Sequence, residues 1–202
     1  MAARPPSAMG DPGALLALAV TGQCVELLRD TYLPRLERAL AELPAADLWW
    51  RPHARATSAG NLLLHLRGNI RQWIVSGLGG APDLRERDAE FAAPAAPAAP
   101  ANGSGAVLLA ALAQTVAEAC AVIERLDAPA LLAPVSIQGY GTNALAAVLH
   151  VTEHMSWHTG QIAWIAKLRA GEGHALAYYD DAALTARNGP RSRHTPRARK
   201  QP

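Results

Sequence analysis

Residues 150–161 read HVTEHMSWHTGQ, and three histidines, His150, His154 and His158, recur in the stretch at four-residue intervals. Leu145, Val148 and Leu149 lie before or beside it, and Ile162, Trp164, Ile165 and Leu168 follow. An α-helix advances about 100° per residue, so side chains four apart stand on nearly one face. The stretch therefore predicts a long, largely apolar helix from about Thr142 to Ala170, stopped by Gly171 and carrying a ladder of imidazoles.

Working outward, three more helices are expected. From Ala14 to Leu43 apolar residues recur at three- and four-residue steps, among them Leu15, Leu18, Val25, Leu28, Leu36 and Leu40. Pro34 should kink or divide this helix, and Pro44 lies just beyond it. Residues 44–57 form a connection, with Thr57 or Ser58 as the N-cap of a second helix that ends at GLGG near Gly77. A third helix is expected over about 105–126 and a further connection over 127–141. No strand pattern competes. Alanine and leucine dominate while β-branched and aromatic residues are sparse, which favours helix. Four long helices predict an all-α fold, a four-helix bundle with disordered termini. At 202 residues, half of them hydrophobic, the expectation is a disordered lead-in at 1–12, a bundle at 13–186 and a basic disordered tail at 187–202. AAPAAPAAPANGSG at 92–105 is read as an extended surface loop within the bundle.

The formal charge of +2 hides an asymmetry. Six of the 19 basic residues fall in the last sixteen positions, where there is no acid; the rest carries 13 basic against 17 acidic residues. A basic tail can touch nucleic acid or anionic lipid, but its Pro/Gly/Arg/Ser composition reads first as a solvated terminus. Two cysteines, Cys24 and Cys120, are too few and too far apart for a disulfide framework and are read as small core residues. No signal peptide is recognisable, and no uninterrupted apolar run reaches the roughly 18–20 residues of a membrane span. A cytoplasmic protein with no membrane partner is expected.

The histidines carry the chemistry. His154 and His158 can aim two imidazoles at one ion, and His150 can join them from the preceding turn. His65 sits in NLLLHLRGNIRQWI, where Leu62, Leu66, Ile70 and Trp73 mark a buried stripe. Alone it reads as a hydrogen-bonded core residue; opposite two more histidines it reads as a ligand. Neutral imidazoles bind Zn, Ni or Fe through one ring nitrogen, and three make a facial site with open positions. The first choice of ligands is His65, His154 and His158, with His150 as a neighbour. HVTEH also fits H-x-x-E-H, an inverted zincin arrangement with Glu153 as general base, which would leave His65 and His158 idle. Supporting candidates are Gln161, expected to hold His65 or bound water, and Glu153, about 100° around the helix from His154. Asn61 and Asn69, one turn either side of His65, are read either as groups that orient a ligand or substrate or as plain interhelical hydrogen-bonders. Arg85, Asp88 and Glu90 read as a solvated charge cluster or a dimer contact. The five tryptophans read as packing first, with one or two at a pocket mouth.

LWWRPHARATSAGNLLLHLRGNIRQWI at 48–74, RERDAEF at 85–91 and HVTEHMSWHTGQIAWIAKL at 150–168 together resemble the DinB-like (YfiT-like) superfamily, over roughly residues 14–180. The resemblance implies a four-helix bundle, often a homodimer, holding a divalent metal on one histidine of the second helix and two of the last, here His65, His154 and His158. It also implies thiol S-transfer or isomerisation of a small-molecule substrate with a low-molecular-weight thiol such as bacillithiol or mycothiol. The expected function is therefore that of a metal-dependent thiol S-transferase, with a metal-dependent hydrolase or a non-catalytic metal-binding stress-response bundle as alternatives.

Overall fold

The computed structural model describes residues 11–92 and 104–177. The expectations for the N-terminal lead-in up to residue 10, for the middle of the Ala/Pro stretch and for the basic tail lie outside them. The first long helix comprises α1 (Pro12–Val25), a π-helical turn (Glu26–Tyr32) and α2 (Leu33–Glu42). It starts two residues earlier than the apolar pattern suggests. The Asp11 carboxylate accepts from the Gly13 N–H at 3.0 Å, and Pro12, which has no N–H to lose, takes the first helical position. Pro34 does not interrupt the chain. It falls in the first turn of α2, where the π-helical segment gives way to α-helix and a missing N–H is tolerated.

α3 (Ala59–Ile70) begins at Ser58 and ends in a second π-helical turn (Arg71–Ser76). Ser58 and Asn61 form a reciprocal capping box: the Asn61 N–H donates to Ser58 Oγ, and the Ser58 N–H donates to Asn61 Oδ1, each at 3.2 Å. The chain then passes Gly80, at φ +77°, to α4 (Arg87–Ala92) and, beyond the Ala/Pro stretch, α5 (Gly105–Ile123). α5 is the one described helix long and apolar enough, by length and composition, for a bilayer. Here its stripe of Leu108, Leu112, Val116, Ala119 and Ile123 is buried in the bundle.

The 127–141 connection carries more structure than its sequence suggests. α6 (Ala128–Leu132) is followed by the antiparallel strands β1 (Pro134–Ile137) and β2 (Tyr140–Asn143), joined by Gln138 and Gly139, both at positive φ. Four-residue strands are too short to display a two-residue period, and Gln-Gly is not the Asn-Gly turn signal. Ile137 is buried and anchors the hairpin beside Gly77, while Gln138 donates to Gln72. α7 (Ala144–Ala170) starts at Asn143, whose Oδ1 accepts from the Ala146 N–H at 2.8 Å, and stops at Gly171, φ +76°.

The core is continuous among the four long helices. Leu28 and Leu36, Leu63, Leu66 and Ile70, Leu112 and Val116, and Val148, Met155 and Ile162 are fully buried. Each such side chain contributes about 1.5–3 kcal/mol through burial. Trp49, Trp50 and Trp73 pack against this core, whereas Trp157 and Trp164 on α7 are 66% and 59% exposed. Trp49 lies flat on Gly60, where a Cβ would stand 2.5 Å from the ring. Gly60→Ala should therefore destabilise the fold by about 1–3 kcal/mol through overpacking, despite alanine's better helix propensity. Urea denaturation should show a lower midpoint; an unchanged or higher midpoint would contradict the close approach of Trp49.

Candidate metal centre

α3 and α7 pack side by side and carry the histidines to one point. His65 Nε2 lies 3.1 Å from His154 Nε2, and His158 Nε2 lies 3.0 Å from the same atom. The three ligand atoms fall within 4.8 Å of one another. Tetrahedral zinc with Zn–N bonds of about 2.0–2.1 Å would hold its nitrogens roughly 3.3 Å apart. The spacing fits one ion with three imidazole ligands.

The partners of the opposite ring nitrogens decide what faces inward. His65 Nδ1 is 2.8 Å from Glu90 Oε2. A carboxylate only accepts, so Nδ1 carries a proton, and in the neutral ring Nε2 is left to present its lone pair. His158 Nδ1 stands 2.5 Å from Gln161 Oε1, which also accepts, and the same tautomer follows. Two lone pairs thus converge on the third imidazole. One proton could bridge a single pair of these nitrogens, but not all three. Protonation is further disfavoured at His154, whose pKa is pushed down to about 3 by burial and then by its histidine neighbours. His158 is shifted the same way, chiefly by burial. Three convergent imidazole nitrogens suit a divalent cation of borderline softness.

Glu90 and Arg85, read from sequence as solvated charge, are instead built into the centre. Their side chains are 9% and 4% exposed, and Arg85 grips the carboxylate with Nε on Oε1 at 2.7 Å and Nη2 on Oε2 at 3.0 Å. Burial alone would raise the Glu90 pKa; hydrogen bonds from His65 and Arg85 outweigh it and keep the carboxyl below its ordinary value. Arg85 Nη2 also approaches His65 Nδ1 at 3.2 Å, but two donors face each other there, so the contact is proximity without a hydrogen bond. Asp88 is exposed.

Asn61 completes its capping box and donates through Nδ2 to the Glu90 carbonyl at 2.9 Å, tying α4 to α3 behind His65. The Phe91 ring packs against the His65 ring at 4.8 Å between centroids. Gly68, one turn from His65, leaves the space Glu90 occupies: a Cβ there would lie 1.9 Å from Oε1. That glycine in a helix interior was the available sign that another side chain enters this face.

The other candidates fall elsewhere. Gln161 orients His158 in place of the expected His65. His150 stands outside the convergence, with Nε2 3.2 Å from Asn69 Nδ2 and its ring 4.2 Å from that of Trp73. Glu153 is exposed and lines a groove with Val20, Cys24, Leu27 and Tyr32 of the first helix. The H-x-x-E-H arrangement is therefore not assembled. A second groove, of about 510 Å³, passes Gln161 and is walled by Trp157, Trp164, Leu62 and Arg55. Neither cysteine is available as a nucleophile: both are buried, and burial pushes the Cys120 thiol up to about 11.

Gly68→Ala should swing Glu90 off His65. Loss of such a carboxylate support costs roughly 10–100-fold in metal affinity, while the metal-free helical fold should remain by circular dichroism. A chelator-competition titration that found unchanged affinity would contradict the supporting role of Glu90.

The family model of the DinB superfamily matches residues 28–162, more than half of the chain and all of the centre from His65 to Gln161. Comparison with curated proteins finds no match.

Proposed function

The chain belongs to the DinB superfamily, and we propose that it is a metal-dependent thiol S-transferase acting on small electrophiles. The observation that carries this reading is the convergence of three Nε2 atoms, two of them oriented by Glu90 and Gln161 on the far nitrogens. Zinc or nickel suits the donor set best, with iron third. A divalent ion held there would act as a Lewis acid, lowering the pKa of a thiol or water so that the anion attacks at neutral pH.

The chain's own residues divide the remaining work. His65, His154 and His158 supply neutral donors. Glu90 and Gln161 keep the ligand rings from rotating and hold their protons on Nδ1. Phe91 covers one side of the His65 ring. Both cysteines are buried, so the nucleophile is an external thiol. The groove past Gln161, with its two indoles, offers an apolar wall for the electrophile.

Elemental analysis of tag-free protein should find about one divalent ion per chain, as three ligands to a single ion require. His65→Ala and His154→Ala should each lose it. The loaded protein should then accelerate consumption of bacillithiol or mycothiol by a chromogenic electrophile such as 1-chloro-2,4-dinitrobenzene, and both variants should not. Protein that takes up no metal on reconstitution would overturn the metal reading. Loaded protein that cleaves activated esters yet consumes no thiol would replace transfer by hydrolysis.

A further inference from the structure

The arm behind His65 has an unusual charge balance. A carboxylate hydrogen-bonded to a ligand histidine ordinarily raises the basicity of that ligand and offsets part of the metal's charge. Here the same carboxylate is clamped by a guanidinium through both of its oxygens, at 2.7 and 3.0 Å, with both side chains nine-tenths buried or more. Arg85 is itself held from behind, its Nη1 donating to Gln72 Oε1 at 2.9 Å. The guanidinium cannot lose its proton in a protein, so the Arg85–Glu90 unit is neutral as a whole. Imidazoles that bind a metal do so in the neutral form. Among the described residues, no other carboxylate is hydrogen-bonded to the three imidazoles.

We propose that Arg85 is the charge compensator of the centre: by cancelling Glu90 it leaves a divalent ion on His65, His154 and His158 with its full double positive charge, and so selects an anion, a thiolate, as the incoming ligand over neutral ones. The proposal rests on the metal-centre reading above. It makes Arg85 a positioning residue that acts through Glu90 and His65. Glu90 keeps the geometry of His65, while Arg85 stops that support from diminishing the site's pull on a negative ligand. A buried charge acts strongly at low effective dielectric, which is why its removal should be felt although Arg85 approaches only Nδ1 of His65 and no converging nitrogen.

Cobalt(II) provides the test. Its visible absorption reports occupancy of the centre, and a near-ultraviolet thiolate-to-cobalt band reports thiolate binding. Cobalt-loaded wild type, Arg85→Met, Glu90→Gln and the double variant would be titrated with 2-mercaptoethanol and, separately, with imidazole as a neutral ligand, at one fixed pH. Arg85→Met should bind thiolate about tenfold more weakly, with imidazole affinity unmoved, as expected for loss of one nearby positive charge. The double variant, again neutral, should return close to wild type, and Glu90→Gln alone should bind thiolate more tightly than either. The pair Glu90→Gln and double variant measures the charge of Arg85 even where Arg85→Met, with its unpaired buried carboxylate, does not fold. Equal thiolate affinity in those two variants would overturn the compensator role. So would equal losses for thiolate and imidazole, which would mark Arg85 as merely structural. A wild type with no cobalt spectrum would overturn the metal centre itself, and the proposal with it.

Discussion

The Nε2 atoms of His65 and His158 stand 3.1 and 3.0 Å from that of His154, and the far nitrogens of these two outer rings are already committed to acceptors. A proton on His154 Nε2 can satisfy only one of the two facing lone pairs, and burial disfavours adding a second. The remaining structure accommodates this constraint. α3 and α7 must pack close enough for His65 to meet His154; Gly68 must lack a side chain; α4 must dock so that Glu90 reaches Nδ1, and Asn61 must hold the backbone of α4 there. The apolar core under these groups, Leu66, Ile70, Val151 and Met155, supplies the free energy that keeps the two helices together.

Helices were legible because their causes are local. Leucine and alanine at three- and four-residue steps, Thr57 or Ser58 before the second helix, and Gly171 after the last turn are all readable without the fold. Periodicity put His154 and His158 on one face and a buried stripe put His65 on the inward side of its helix; only the two together suggested a ligand set. What escaped was non-local. Arg85 and Glu90 are chemically indistinguishable, in sequence, from a solvated ion pair. Only the docking of α4 on α3 buries them. The hairpin at 134–143 escaped because each of its four-residue strands spans only two repeats of the two-residue period. Pro34 signalled a kink or division, and the first helix does change from π- to α-helical beside it, but nothing in a single sequence announces a π-helical segment.

The tryptophans show the same division. Five apolar indoles invite the expectation of core packing, and Trp49, Trp50 and Trp73 meet it. Trp157 and Trp164 lie seven residues apart on α7, hence on one face, but that face turns outward to the groove beside Gln161. Periodicity fixes which residues share a face; which face turns inward depends on the partner helices. The same uncertainty applied to Glu153, which shares a helix with three histidines and faces away from their meeting point.

His65 and His154 are 89 positions apart in the chain, and nothing but the docking of α3 on α7 brings their nitrogens together. An ion bridging them is therefore a reversible crosslink that closes a long loop. In the unfolded chain the same ligands are scattered, so binding free energy becomes folding free energy. Stability then becomes a function of free metal concentration, rising by RT ln(1 + [M]/Kd). The bundle's resistance to unfolding would thus report the metal status of the solution around it.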